Sequence, residues 1–377
     1  MHNNLILSIV FVGLFCSSCS SGLDILKSSN EHTENIDDGL PDDAQSCLNL
    51  AFDYREGKKK DDQKSRALFE KACKLGSGDG CYMYAGYYFE GKGVKKDEVE
   101  ANEIFKKACD LKNRFGCAMS GSLYVYGKEL GQNYSKAKEF FEKACNLDDG
   151  NSCFSLGVLY ETGKGVYQNY YIAKEMYEKA CNFNDGSGCS SLGLLYSEGK
   201  GVVQDYVEAR FLYKKACYLN NVMGCNNLGT MYETGKGVEQ NYLEAMRLYE
   251  KTCDLKGGLG CFNLGALYRD GNGVKQDYFE AKSLLEKSCN LDYGKGCNNL
   301  GLLYENGQGV KKDFFKAHEL YEKACSLNQG EGCDNLGRSY YWGKGTKYDY
   351  TIARQLFEKA CDLGVQSGCD NHRNLTR

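Results

Sequence analysis

The stretch Ala216-Cys-Tyr-Leu-Asn-Asn-Val-Met-Gly-Cys225 places two cysteines eight residues apart, and Thr252-Cys-Asp-Leu-Lys-Gly-Gly-Leu-Gly-Cys261 repeats the arrangement 36 positions on. Cysteines fall in the same way at Cys73/Cys81, Cys109/Cys117, Cys145/Cys153, Cys181/Cys189, Cys217/Cys225, Cys253/Cys261, Cys289/Cys297, Cys325/Cys333 and Cys361/Cys369. Between pairs a block returns: Leu228, Met231 and Tyr232 share one face of a first helix, and Tyr242, Ala245, Leu248 and Tyr249 share one face of a second. Gly235 and Gly237 punctuate the turn between them, where positive φ is cheap only for glycine. Each unit is a helix hairpin with a single apolar face, which becomes a core only when copies stack.

Small residues keep the same register. Four residues after each first-helix cysteine stand Ala51, Ala85, Gly121, Gly157, Gly193, Gly229, Gly265, Gly301 and Gly337. The second helices carry alanine at 67, 101, 137, 173, 209, 245, 281, 317 and 353. These are packing positions, at which a larger side chain would force layers apart at about 1–3 kcal/mol each.

Two residues eight apart on one helix lie about 12 Å apart along its axis, whereas a disulfide needs Cα atoms within about 7 Å. The chain must therefore turn inside each pair, and Leu255 to Gly260 (LKGGLG) reads as that turn. Each pair is expected to staple the end of one hairpin to the start of the next, with about 2.5 kcal/mol from loop closure. Metal binding is the competing reading. Zinc favours C-x2-C spacing with histidine nearby, and the only such spacing is Cys16–Cys19, so no metal site and no cofactor is expected. Cys47 aligns with Cys81, but Gly39 stands where its partner would be, so it reads as an unpaired, buried thiol.

The chain of 377 residues has 45 glycines, one proline, 29 tyrosines and 21 cysteines, and a formal charge of −4. That charge is local: seven acids against Lys27 put −6 on residues 20–43, leaving the rest near +2, which does not favour nucleic acid as a partner. Residues 1–19 read as an export signal, with the eleven-residue apolar run Leu5–Phe15 too short to span a bilayer. Ser17-Ser18-Cys19 fits lipidation at Cys19 as well as plain cleavage, and a lipid there would be the sole membrane anchor. Either route ends in an oxidising compartment: secreted, periplasmic, or tethered to the outer membrane. Residues 20–43 read as an acidic, disordered tether, 44–368 as nine repeats, and 369–377 as a short tail with one apolar residue, a poor cap for the array.

The Leu-Gly-x-x-Tyr, Gly-Lys-Gly-Val, Asp/Asn-Tyr-x-x-Ala and Tyr-Glu-Lys-Ala-Cys blocks resemble the Sel1-like branch of the tetratricopeptide superfamily. With the cysteine pairs, the chain resembles the Helicobacter cysteine-rich protein family across roughly 44–370. The resemblance implies an all-α, right-handed α/α solenoid of about nine disulfide-stapled repeats, exported from a bacterial cell. It also implies penicillin binding or slow β-lactamase activity, or contact with host factors. Gly57-Lys-Lys-Lys-Asp-Asp, in a first repeat two residues short, and Gly127-Lys-Glu-Leu depart from the pattern.

A serine β-lactamase would carry Ser-x-x-Lys, Ser-Asp-Asn and Lys-Thr-Gly. Ser135-Lys-Ala-Lys138 and Ser197-Glu-Gly-Lys200 match the first pattern, as chance allows, and the other two are absent. Ser135 reads as a helix cap, Ser197 as a turn residue, and His318 as a surface residue of a second helix. Binding has more support. Two residues after the cysteine of four first helices stand Asn227, Asn263, Asn299 and Asn335, able to donate to and accept from an extended backbone. Met83, Met119, Ser155 and Ser191 hold that place earlier. Solenoids of this kind bind on the concave face lined by first helices, and asparagines so placed hold peptides in the tetratricopeptide superfamily. The asparagines therefore read either as ligand contacts or as inter-repeat links. The expected partner is a peptide or protein, with a peptidoglycan fragment or a β-lactam as the alternative. The tyrosine column at 160, 196, 232, 268, 304 and 340 reads as core.

Overall fold

The computed structural model describes residues 41–57 and 60–376. Residues 1–40, with the expected export segment, Cys16, Cys19 and most of the expected tether, lie outside the described residues. Nineteen helices and no strand occur among those described. The first hairpins are α1 (Ala44–Glu56) with α2 (Asp62–Lys74), α3 (Gly78–Glu90) with α4 (Glu98–Asp110), and α5 (Arg114–Tyr126) with α6 (Tyr134–Cys145). Then come α7 (Gly150–Thr162) with α8 (Tyr170–Asn182), α9 (Gly186–Glu198) with α10 (Tyr206–Tyr218), and α11 (Val222–Thr234) with α12 (Tyr242–Asp254). The last are α13 (Gly258–Asp270) with α14 (Tyr278–Asn290), α15 (Gly294–Asn306) with α16 (Phe314–Ser326), and α17 (Gly330–Trp342) with α18 (Tyr350–Asp362), closed by α19 (Gln366–Thr376). The α/α repeat solenoid read from the sequence is the fold.

The chain divides into two compact units, one running to Gly188 and taking in 200–202, the other formed by 189–199 and 203 onward. In the first, Phe69, Phe105 and Leu123 are fully buried; in the second, Tyr249, Leu285 and Tyr321 are. The second-helix alanines from Ala101 to Ala353 are buried, whereas in the short first repeat Ala67 is half-buried and Ser65 takes the buried place. Gly229 lets the Tyr249 ring approach so closely that a Cβ there would lie 2.7 Å from it. The half-buried tyrosines of the column at 160, 196, 232, 268, 304 and 340 pack against these clusters, as expected of core residues.

The junction between hairpins has a local cause. After α10, Leu219, Asn220 and Asn221 donate their amides to the carbonyls of Lys215, Cys217 and Ala216, a Schellman ending with Asn220 left-handed at φ 58°. Asn221 closes that motif and also N-caps α11, its side chain accepting from the Gly224 amide at 2.8 Å. One residue ends a helix and starts the next, so the chain reverses within three residues. Cys217 and Cys225 are thereby brought to a Cα separation of 4.4 Å and are bonded. The same bond joins Cys73 to Cys81, Cys109 to Cys117, and Cys145 to Cys153. It recurs from Cys253 to Cys261, Cys289 to Cys297, Cys325 to Cys333 and Cys361 to Cys369, and Cys181 and Cys189 are disulfide-bonded as well.

The staples belong to the core rather than to a reactive surface. Cys117, Cys153, Cys297 and Cys333 have no exposed surface at all, and Cys81, Cys189, Cys225 and Cys261 match them. Each opens the buried stripe of a first helix, so its sulfur packs among apolar side chains as well as closing a loop. These cysteines are structural, and none of them is placed to meet a ligand or a metal ion.

Both ends of the array carry more order than the sequence suggests. Asp43, the last residue of the expected tether, N-caps α1 by accepting from the Ser46 amide at 2.9 Å. The expected tail is the greater part of α19. Leu375 is its one apolar residue, but Ser367 and Asn371 donate to Asp334 at 3.0 and 2.9 Å and hold the helix by polar links.

Candidate functional site: the first-helix face

Asn227, Asn263, Asn299 and Asn335 lie half-buried on α11, α13, α15 and α17 of the second unit. They are not equivalent. Asn263 donates its Nδ2 to Asn226 Oδ1 of the preceding first helix at 2.7 Å, and Asn335 does the same to Asn298 at 2.8 Å. Asn371 continues the series onto Asp334. These are inter-repeat links across adjacent first helices. Asn227 bonds the Tyr213 hydroxyl, offsetting with Ser197 part of the upward push that burial gives that phenol. Asn299 differs because the residue that would accept its amide is Phe262. Its one hydrogen bond, at 3.5 Å, is as acceptor from Asn298, so its own N–H groups are uncommitted.

A second set of polar groups on this face was not read from the sequence. Tyr177, Tyr249 and Tyr321 on the second helices are fully buried, and their hydroxyls donate to Glu161, Glu233 and Glu305 on the first helices of the same hairpins. Burial, then the carboxylate, drives the Tyr249 and Tyr321 phenols far above their ordinary range. In one repeat the tyrosine is kept as Tyr213 and the partner is Ser197; where the tyrosine is replaced by Leu285 the partner is Arg269, which instead takes Asp270 through two bonds of 2.7 Å. Among these five repeats glutamate stands only where tyrosine follows sixteen residues on, and that was the signal available in the sequence. Lysines tie repeats along the other edge: Lys251, Lys323 and Lys359 donate to the carbonyls of Cys217, Cys289 and Cys325, at the carboxyl ends of preceding second helices.

The groups considered for catalysis are otherwise engaged. Lys138 pairs with Glu142 at 3.0 Å, which raises its affinity for a proton, and Ser135 donates to the Gly165 carbonyl. Ser197 donates to the Leu194 carbonyl at 3.0 Å. His318 is half-buried rather than on the surface: its ring meets Tyr340 edge-on at 5.0 Å, and burial lowers its pKa. No group of three metal-ligating side chains occurs among the described residues. Cys47 is a free, buried cysteine whose thiol donates to the Pro41 carbonyl and is pushed up by burial.

These hairpins, links and staples define an α/α repeat protein. The Sel1 repeat matches nine segments, 44–77, 78–113, 115–149, 150–182, 186–221, 222–256, 258–293, 294–329 and 330–365, and the chain belongs to the Sel1 repeat family. It is similar in structure to a protective antigen of uropathogenic Escherichia coli with an SLR fold (26% identity, TM-score 0.59, covering 88% of this chain and 80% of that one). A Sel1 repeat protein of Oxalobacter formigenes is similar at 25% identity and TM-score 0.56, over 65% of this chain and 96% of that one. Cysteine-rich protein B of Helicobacter pylori is 38% identical over 35% of this chain and 94% of its own, with a TM-score of 0.30. No curated protein matches the chain. Sel1 repeat proteins are in general scaffolds for protein–protein interaction. Disulfides at successive junctions suit an oxidising, extracytoplasmic environment.

Proposed function

We propose that the first-helix face of the second unit binds an extended peptide, or such a segment of a protein partner, with Asn299 as the central contact. One observation carries this reading. Asn299 offers two amide N–H groups that the repeat architecture leaves without an acceptor, whereas Asn263 and Asn335 spend one each on their neighbours. An amide can give to and take from a peptide backbone at once. The remaining oxygens of Asn263 and Asn335 and the carboxylates of Glu233 and Glu305 would complete a polar track beside it. Peptides selected from a random library on the immobilised, oxidised chain provide the test. Asn299→Ala is expected to weaken the selected peptide about tenfold, one lost hydrogen bond in a partly desolvated site, with the melting temperature unchanged. Unchanged affinity in that variant would sink the reading.

Penicillin binding with slow β-lactamase activity, or capture of a peptidoglycan fragment, has the family resemblance alone behind it. Turnover of a chromogenic cephalosporin near the ordinary enzyme rate of about 1 s⁻¹ would restore it. Export through residues 1–19, with or without a lipid on Cys19, belongs to the same proposal, and the intact mass of the mature chain tests it.

A further inference from the structure

The first unit has an open pocket on its first-helix face, lined by Arg55 of α1, Tyr82, Met83, Gly86 and Glu90 of α3, and Lys92 just beyond. Repeat equivalence shows what is missing from it. Between the hairpins of α15 and α17, Glu305 receives the Tyr321 hydroxyl at 2.7 Å and Lys344 Nζ at 3.2 Å. Counted from their first-helix cysteines, Arg55 occupies the place of Glu305 and Lys92 that of Lys344; counted back from Cys73 and Cys325, four residues on, Phe69 occupies that of Tyr321. A carboxylate between phenol and ammonium has become a guanidinium beside an ammonium.

Arg55 is half-buried, and its one polar contact is a long one, 3.7 Å, to the Met83 sulfur. The other arginine at this repeat position, Arg269, takes both oxygens of Asp270, whereas Arg55 is followed by Glu56, which is exposed and makes no ion pair with it. Lys92 pairs with Asp62 at 3.2 Å and lies 5.9 Å from the Tyr87 ring, keeping donors for a further acceptor. Glu90, an exposed lining residue, pairs with neither cation. The floor is Gly86. Its counterparts include Val158, Leu194, Thr230 and Leu302, and a Cβ at Gly86 would meet nothing within 4 Å. Glycine weakens a helix interior, and here no close packing requires it; its effect is to leave the pocket open.

We propose that this pocket binds the carboxylate of a glutamate side chain in a peptide partner, the carboxylate taking the place that Glu305 fills elsewhere in the array. A guanidinium holds a carboxylate through two parallel hydrogen bonds, Lys92 adds charge, and the walls of Tyr82 and Met83 suit the two methylenes of the stem. The site is independent of the asparagine column in the second unit.

Two end-blocked pentapeptides that differ only in a central glutamate or glutamine, titrated into the oxidised full chain, provide the test. The glutamate peptide is expected to bind at least fivefold tighter at low ionic strength, and the advantage to shrink as salt rises. Arg55→Gln should bring the ratio to about one. Gly86→Leu, which installs the side chain of Leu194 and Leu302, should do the same by filling the floor, and Asn299→Ala should leave the ratio intact. No preference for glutamate in the unmodified chain, or a preference that survives either pocket variant, would overturn the proposal.

Discussion

At the scale of single residues, polar groups in a repeat array take their roles from a neighbour in the adjacent repeat, 37 positions away along the asparagine column. The asparagine column was legible as a column, but its division of labour was not. That division is decided one residue earlier in the preceding repeat, where Asn226 and Asn298 accept and Phe262 cannot. Charge at the junctions follows the same logic. Asp149 and Asp185 cap successive first helices by accepting amide hydrogens at 2.7 Å, and burial pushes both carboxyls above their ordinary range, Asp149 adding to the push on Asp185. A carboxyl whose pKa is higher folded than unfolded contributes stability below the unfolded carboxylate range, and loses it as pH rises through the folded value. These two groups therefore oppose folding at neutral pH. Asparagine fills the equivalent cap at 113 and 221 without charge. Asp149→Asn is expected to raise the melting temperature at pH 7 and to flatten its fall between about pH 4 and 7, as followed by circular dichroism.

Helices here meet at distances set by their smallest members, and the two kinds of helical glycine have opposite meanings. A Cβ on Gly224 would lie 2.4 Å from that of Ala216, beside the Cys217–Cys225 bond, so the crossing of α10 and α11 requires glycine. Gly224→Ala is expected to cost about 1–3 kcal/mol in a denaturant titration through overpacking. Gly86→Ala, with open space around the new methyl, is expected to stabilise by about 0.5–1 kcal/mol through helix propensity alone. The helical period, the turn glycines and the small-residue columns were readable because each recurs in register from repeat to repeat, the paired turn glycines in seven of the nine. The closing helix was not, since the expectation weighed apolar residues and α19 is held by Asp334 and the Cys361–Cys369 bond.

For the molecule as a whole, stability is assembled junction by junction. Each staple closes a loop of only eight residues, so its effect of about 2.5 kcal/mol falls on the two helices it joins and reaches others through nearest neighbours alone. Replacing Cys253 and Cys261 together by serine is expected to speed amide hydrogen exchange in α12 and α13 and to leave α1 to α4 as protected as before. Loss of protection throughout the chain would instead show one cooperative block. Absence of a partner for Cys47 fits the same scheme, because Gly39 stands eight residues before it, where the other first-helix cysteines have their partner.

The shared residue at each junction, Asn221 among them, closes one helix and opens the next. Deleting or inserting a single position there would rotate the following helix by about 100° and turn its apolar stripe outward. Gain or loss of complete copies leaves every junction intact. Lineages carrying this architecture should therefore differ in length by integral numbers of repeats, with ligand preference altered as individual pockets are duplicated or discarded.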